Sequence, residues 1–387
     1  MINGKLFLLR IAATFAVGVL AFACKGEVNT VEAVPVVPKP AVAASASAPE
    51  ADRVNRAAKQ SLPRPPAVPQ VPAEEGGVSP VKMVKKGPAI SSAPPLLPLR
   101  HTKTKLVPFQ NAPFPFHGTV PATGNPFLDV SEGERRGHRT SSGTVYWEER
   151  TYSDSRTLLH IPKGFDVRRP ALMVVFLHGH GATLQRDVID RQRLPEQVSE
   201  AGTNAVLVAP QLASDAADSS AGKLWEPGGF QRFLQEASTE LTKLHGDPRS
   251  KPAFDTMPIV IVAYSGGYMT AASCIRHGGA GTRVRGVVLL DALYGEIETF
   301  ASWISSQDNA FFVSAFASST KAHNAELAEM LKGRDVTYYT KLQTRLRGGS
   351  VTFLSTSPDT EHRDFVTHAW AHHPVKDLLQ RLRAEAR

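Results

Sequence analysis

For residues 111–387 the sequence predicts an α/β domain, a mostly parallel eight-stranded sheet with helices on both faces, and three observations carry the prediction. Short, near-continuous apolar runs rich in Val and Phe recur along this part of the chain, the pattern of strands buried on both faces. Stretches of helical periodicity lie between them, and such alternation implies parallel neighbours joined by crossovers. Nineteen of the 29 prolines lie before residue 127. Proline removes a backbone donor and fixes φ, so packed structure is expected only after the proline-rich part.

Residues 1–23 read as an export signal. Lys5 and Arg10 precede an apolar run, Ile11 to Phe22, which ends in Ala21-Phe22-Ala23-Cys24. A charged region, an apolar region and small residues in that order mark a secretory signal. The run is too short to span a bilayer, which takes about 20 uninterrupted apolar residues. Two cleavage readings stand: an A-x-A site at Ala21 and Ala23, or a lipobox in which Cys24 becomes the lipidated first residue. The segment resembles a bacterial lipobox, with Leu20 four rather than three positions before Cys24. That resemblance implies a lipid anchor at Cys24.

Residues 24–110 are expected to be a tether. Runs such as Pro35-Val-Val-Pro-Lys-Pro40 and Pro63-Arg-Pro-Pro66 favour coil and polyproline II over helix or sheet. A spacer of this length would span about 50 Å root-mean-square if fully flexible.

Beyond it, Val145 to Trp147 and Thr157 to Ile161 are expected to open the sheet as a pair joined through Ser153-Asp-Ser155. Six further strands are expected at Ala171–Leu177, Asn204–Ala209, Pro258–Tyr264, Arg285–Leu290, Ala310–Phe316 and Val351–Leu354. The clearest helix carries Phe230, Phe233, Leu234, Ala237, Leu241 and Leu244 on one face and Gln231, Arg232, Glu236 and Lys243 on the other.

The sharpest local feature is Ile259-Val-Ile-Val-Ala-Tyr-Ser-Gly-Gly-Tyr268, a buried strand running into a serine and then a helix from Met269. A serine at such an elbow sits in a strained turn that small neighbours permit, and it stands at the carboxyl edge of the sheet. The helix start behind it offers unpaired N–H groups and a positive dipole end. Residues Ala263-Tyr264-Ser265-Gly266-Gly267 resemble the G-x-S-x-G nucleophile elbow of the α/β-hydrolase superfamily, with Ala263 in place of the first glycine. Strand Ala171–Leu177 ends in His178-Gly179-His180-Gly181, which resembles that family's HG-x-G oxyanion loop. The resemblance implies backbone donors at Gly179, His180 and Gly266. A His178-x-His180 metal pair has no carboxylate or cysteine close in sequence to complete it, so no metal is expected.

The family order of serine, acid, histidine implies His362 as the base, in the loop after the last strand. His368 is its competitor, pairing with His372 at i, i+4 on a terminal helix. Asp291, ending strand Val287-Val-Leu-Leu-Asp291, is the implied acid, with Asp359 as the fallback; the other reading of Asp291 is a cap on a helix from Ala292 to Ser305. The loop Ala315-Phe-Ala-Ser-Ser-Thr320 after the seventh strand offers no carboxylate. Trp225, Tyr268 and Tyr294 could line an acyl pocket or lie in the core or at the rim, and Cys274 is expected to be a buried hydrophobe.

Charge is unevenly distributed along the chain. In total there are 44 Lys+Arg against 36 Asp+Glu, a net +8. Residues 1–110 hold 14 basic and 6 acidic residues, leaving 30 of each in the remainder. The basic excess therefore belongs to signal and tether and suits an anionic envelope surface, and no nucleic-acid motif accompanies it. Two cysteines far apart exclude a disulfide scaffold and a CxxC redox pair. Together the motifs imply an exported, lipid-anchored serine hydrolase acting on carboxylic esters without a cofactor. A non-catalytic envelope protein using the same fold as a binding module is the alternative.

Overall fold

The computed structural model describes residues 95–382. The expected signal, Cys24 and the tether up to residue 94 lie outside them. The strands are β1 (Lys103–Pro108), β2 (Val130–Glu132), β3 (Arg135–Arg139), β4 (Val145–Trp147), β5 (Arg156–Ile161), β6 (Leu172–Leu177), β7 (Ala205–Pro210), β8 (Ile259–Tyr264), β9 (Val284–Leu290), β10 (Phe311–Phe316) and β11 (Val351–Ser355). The α-helices are α1 (Leu194–Ala201), α2 (Gly229–His245), α3 (Lys251–Thr256), α4 (Tyr268–His277), α5 (Ile297–Ser305), α6 (Lys321–Lys332) and α7 (Pro374–Leu382).

Eight strands form one sheet in the order β1-β5-β7-β6-β8-β9-β10-β11. β5 runs antiparallel to both neighbours, and every other pairing from β7 to β11 is parallel. The near-continuous apolar runs serve two faces at once. In β6, Met173, Val175 and Leu177 face a core shared with Phe230, Phe233 and Leu234 of α2 and Ala271 and Ala272 of α4. Val174 and Phe176 face the opposite core, with Val198 of α1 and Val375 and Leu379 of α7. Each fully buried side chain of this size contributes roughly 1.5–3 kcal/mol, which is why alternate residues of one strand hold helices to both faces. This is the α/β-hydrolase-like sheet that the motifs implied.

Four expectations change. The tether does not reach residue 110, because Lys103–Pro108 pairs with β5 as an edge strand, from Lys103 opposite Ile161 to Pro108 opposite Arg156. The Lys103 ammonium donates to the carbonyls of Leu244 and His245 at 2.9 and 3.0 Å, placing a cation at the C-terminus of α2 where the helix dipole favours one. β4 does not pair with β5. The π-helical turn Glu148–Tyr152 redirects the chain, and β4 joins β2 and β3 in a separate three-stranded sheet. The helix after β9 begins at Ile297, not Ala292. The last helix begins at Pro374, a residue suited to a first turn and unsuited to a helix interior, so His368 and His372 lie on irregular chain before it. Among the described residues no helix is long and apolar enough to cross a membrane.

The small sheet braces the chain that leaves β7. Tyr146 of β4 packs on an aromatic cluster, Phe114, Phe116, Phe127 and Tyr152, which also holds Ala213 and Ala216. Tyr152 donates to Asp218 Oδ2 at 2.9 Å, and the Ala217 N–H donates to the Tyr146 hydroxyl at 3.1 Å. The segment after β7 is thereby held from behind.

Candidate active site

The register of the parallel strands sets up the site. Tyr264 of β8 pairs with Leu290 of β9, so the next residues, Ser265 and Asp291, leave the sheet at the same level of its carboxyl edge. Both adopt left-handed backbone conformations, φ 52° and 41°, which cost a non-glycine residue about 1–3 kcal/mol and concentrate at functional sites. Two close approaches fix the elbow behind Ser265. A Cβ on Gly267 would lie 2.4 Å from the Leu177 carbonyl oxygen, and one on Gly266 2.5 Å from His180 Nε2. Only glycine lets the start of α4 pack this tightly against β6 and the turn after that strand.

His362 follows β11 in a short helical turn, Glu361 and Asp364 forming a capping box around its start. Its Nε2 lies 2.8 Å from Ser265 Oγ and its Nδ1 2.6 Å from Asp291 Oδ2. A carboxylate can only accept, so Nδ1 carries the proton and Nε2 is left to accept from the serine hydroxyl. The imidazole stacks on Tyr264, ring centroids 5.1 Å apart, and meets Tyr294 edge-on at 6.2 Å. The His362 side chain is 40% exposed and that of Asp291 fully buried.

A buried carboxylate needs compensation, and Asp291 finds it in the loop after β10. Thr320 donates to Oδ1 at 2.6 Å and Ser319 to Oδ2 at 2.7 Å. Burial pushes the carboxyl upward, but the bonds from His362, Thr320 and Ser319 outweigh it and hold Asp291 below the usual carboxylate range. Asp291 caps no helix. Asp359 is exposed and is not the carboxylate that meets His362. His368 is exposed and pairs with Asp364 at 3.1 Å.

The turn after β6 faces Ser265. A Cβ on Gly179 would stand 2.6 Å from Ser265 Cβ and 3.2 Å from its Oγ. The N–H groups of Gly179 and His180 bond to no other protein group among the described residues, so both are available as donors. His178 locks this turn from below. Its Nδ1–H donates to the Gly179 carbonyl at 2.9 Å, and its Nε2 accepts from the Leu212 N–H and the Gln211 amide, each at 2.9 Å. Both ring nitrogens are thus occupied, and burial lowers the imidazole to about 4, so His178 is a neutral structural residue. Gln211 also accepts from the Leu184 N–H and donates to the Ala182 carbonyl.

The remaining candidates divide. Tyr294 lies beside His362, and Tyr268 packs on Tyr294, their ring centroids 6.2 Å apart. Trp225 instead packs on Phe116 and Phe127 and accepts a bond from His277 through its carbonyl. Cys274 is buried, and burial raises its thiol far above the ordinary range. Sequence reasoning missed Ser319, Thr320 and Gln211, although the Ser318-Ser319-Thr320 run was a visible signal of a hydroxyl-lined loop.

The fold is α/β-hydrolase-like, and a serine elbow, an imidazole and a buried carboxylate lie in one hydrogen-bonded line at the carboxyl edge of its sheet. No protein-family model and no curated protein matches the chain. Among solved structures it is similar to a mutant of the feruloyl esterase module from Clostridium thermocellum, at 13% identity over 75% of this chain and 96% of that one, with a TM-score of 0.41. It is also similar to an S-formylglutathione hydrolase from Agrobacterium tumefaciens, at 11% identity over 61% and 92% with a TM-score of 0.36. An IroE-like serine hydrolase from Shewanella oneidensis is similar at 13% identity over 66% and 81%, with a TM-score of 0.38.

Proposed function

We propose that the protein is a serine hydrolase that cleaves carboxylic esters through an acyl-enzyme. The observation that supports this best is the continuous line from Asp291 through His362 to Ser265, ending on a serine strained into the open beside Gly179. Ser265 Oγ attacks the ester carbonyl carbon while its proton passes to His362 Nε2, and Asp291 stabilises the imidazolium that forms. The carbonyl oxygen gains negative charge as the tetrahedral centre forms, with N–H groups of Gly179, His180 and Gly266 as its donors. His362 then returns the proton to the departing alkoxide. A water, deprotonated by the same nitrogen, attacks the acyl carbon, and collapse of the second tetrahedral centre frees the acid and restores Ser265.

The setting belongs to the same proposal. Export, a lipid anchor at Cys24 and contact of the basic tether with an anionic envelope surface would hold the catalytic domain at a membrane. Palmitate incorporation lost in Cys24→Ser tests the anchor, and unlabelled wild type would end it. A fluorophosphonate probe tests the chemistry: it should add covalently to the wild type and to neither Ser265→Ala nor His362→Ala. A folded wild type that stays unlabelled would remove the hydrolase reading, and labelling that persisted in Ser265→Ala would assign the nucleophile elsewhere.

A further inference from the structure

Next to the oxyanion turn lies a second hydroxyl–imidazole pair, one that takes no part in the proton transfers of Ser265 and His362. His180 Nε2 is 2.7 Å from the hydroxyl of Ser219. Both press on the residue just behind the nucleophile: a Cβ on Gly266 would lie 2.5 Å from His180 Nε2 and 2.9 Å from Ser219 Oγ. Gly179 thus stands against Ser265 itself, and the Ser219 hydroxyl against Gly266, the residue that follows it. From this geometry we infer that Ser219 is a further catalytic residue, a side-chain donor to the oxyanion beside the backbone N–H groups.

Three observations support it. Ser219 is half-buried, and His180 is its one hydrogen-bond partner among the described residues. A hydroxyl has one donor and two acceptor sites. When His180 donates from Nε2, the proton of Ser219 is left for a substrate oxygen, and the Nε2–H···Oγ bond polarises that O–H. Second, the imidazole is biased toward its uncharged form, which relays polarity without adding a fixed charge. Partial desolvation lowers it, the nearby Asp218 opposes this, and His362 adds to the lowering.

Third, the segment carrying Ser219 is held rigidly against the oxyanion turn. The Gly181 N–H donates to the Ala216 carbonyl at 2.8 Å. Asp218, anchored by Tyr152 at 2.9 Å, accepts from the Ser220 hydroxyl at 2.8 Å and its N–H at 3.1 Å. The small β2-β3-β4 sheet and the turn after it thus have a role in the site: through Tyr146 and Tyr152 they fix the height of Ser219. A donor set in advance needs little reorganisation as charge develops, which is the condition for stabilising a transition state more than a ground state.

The inference rests on the hydrolase reading, and its test separates the two. Ser219→Ala and Ser219→Thr are compared with wild type for kcat and KM on a soluble p-nitrophenyl ester, for inhibition by a boronic acid that mimics the tetrahedral centre, and for thermal melting. The expected result is a fall in kcat of about 10–100-fold in Ser219→Ala with KM within about twofold, an equal loss of boronic acid affinity, and substantial recovery of both in Ser219→Thr. Unchanged kcat would overturn it. So would a rise in KM at constant kcat, which would make Ser219 a ground-state contact, and so would a fall in kcat that boronic acid affinity does not follow. A wild type inert to both ester and fluorophosphonate would fail the hydrolase reading itself, whereas an active wild type with an unaffected Ser219→Ala would fail this inference alone.

Discussion

Replacing Gly179 by alanine tests the site without touching any side chain that carries the chemistry. The added Cβ would lie 2.6 Å from Ser265 Cβ, 3.1 Å from Tyr264 Cδ1 and 3.2 Å from Ser265 Oγ. Carbon pairs settle at about 3.5–4.0 Å, so the overlap with Ser265 Cβ is on the order of 1 Å. Ser265 has little room to yield: its turn is anchored through Gly267 against the Leu177 carbonyl and through Gly266 against His180. The turn at His178–Gly181 must move instead, carrying its two N–H donors, and it is itself held by the Gln211–His178 lock. Overpacking of this kind costs about 1–3 kcal/mol of stability. A displacement of about 1 Å between reacting groups costs on the order of 100-fold in rate. The expected outcome is a folded protein, melting a few degrees lower, whose second-order labelling by a fluorophosphonate and whose kcat/KM on a p-nitrophenyl ester each fall about 100-fold. Labelling within twofold of wild type at unchanged melting temperature would refute the claim that this turn borders the reacting centre.

The same geometry sets three further expectations. Asp291→Asn should lower kcat by about 10⁴-fold, because an amide nitrogen facing Nδ1 favours the imidazole tautomer that cannot accept from Ser265; steady-state rates check it, and a loss below tenfold would detach Asp291 from the reaction. His160, buried between the Thr104 and Ser199 hydroxyls at 2.7 and 2.8 Å, is lowered by burial to about 4. The unfolded chain takes up that proton near pH 6.5, so stability should hold above 6.5 and decline toward pH 4 by up to about 3 kcal/mol. Denaturant unfolding at pH 7.5 and 5.0 would show it, and the slope should flatten in His160→Gln. A chain beginning at Pro95 should fold, whereas one beginning at Asn111 removes β1 and uncovers the edge of β5; equal solubility and melting of the two would place the domain boundary back at residue 110.

What could be read from the sequence was whatever depends on one segment at a time. Buried strands from β6 to β11 announce themselves because both faces need apolar residues, and their observed ends fall within a residue or so of the apolar runs. β1 was illegible for the complementary reason. An edge strand has one solvated side, and Lys103, Lys105 and Pro108 are residues that keep an edge from pairing further, so in composition they blend with the proline-rich segment before them. β4 looked like a partner for β5 because alternation identifies a strand but not its neighbour, and only the turn at Glu148–Tyr152 decides that.

The candidate site shows the same division more sharply. Ser265 and the Gly179 turn were visible because a strained elbow and a close backbone approach restrict residue type locally. The acid is harder to read, because the loop after β10 carries Ala317, Ser318, Ser319 and Thr320 and no carboxylate. The structure reverses the arrangement: the charge comes from the end of β9, and the hydroxyls of Ser319 and Thr320 reach back to hold it. What makes this workable is register. Tyr264 pairs with Leu290, and Leu290 with Ala315, so the residues that leave the three strands are level with one another. A carboxylate one strand from Ser265 can then be buried only because the next strand supplies its donors. Removing those donors should therefore weaken the site through Asp291: Thr320→Val would raise its pKa and shift the acid limb of the rate profile upward in pH, whereas a purely structural hydroxyl would lower stability and leave that limb in place.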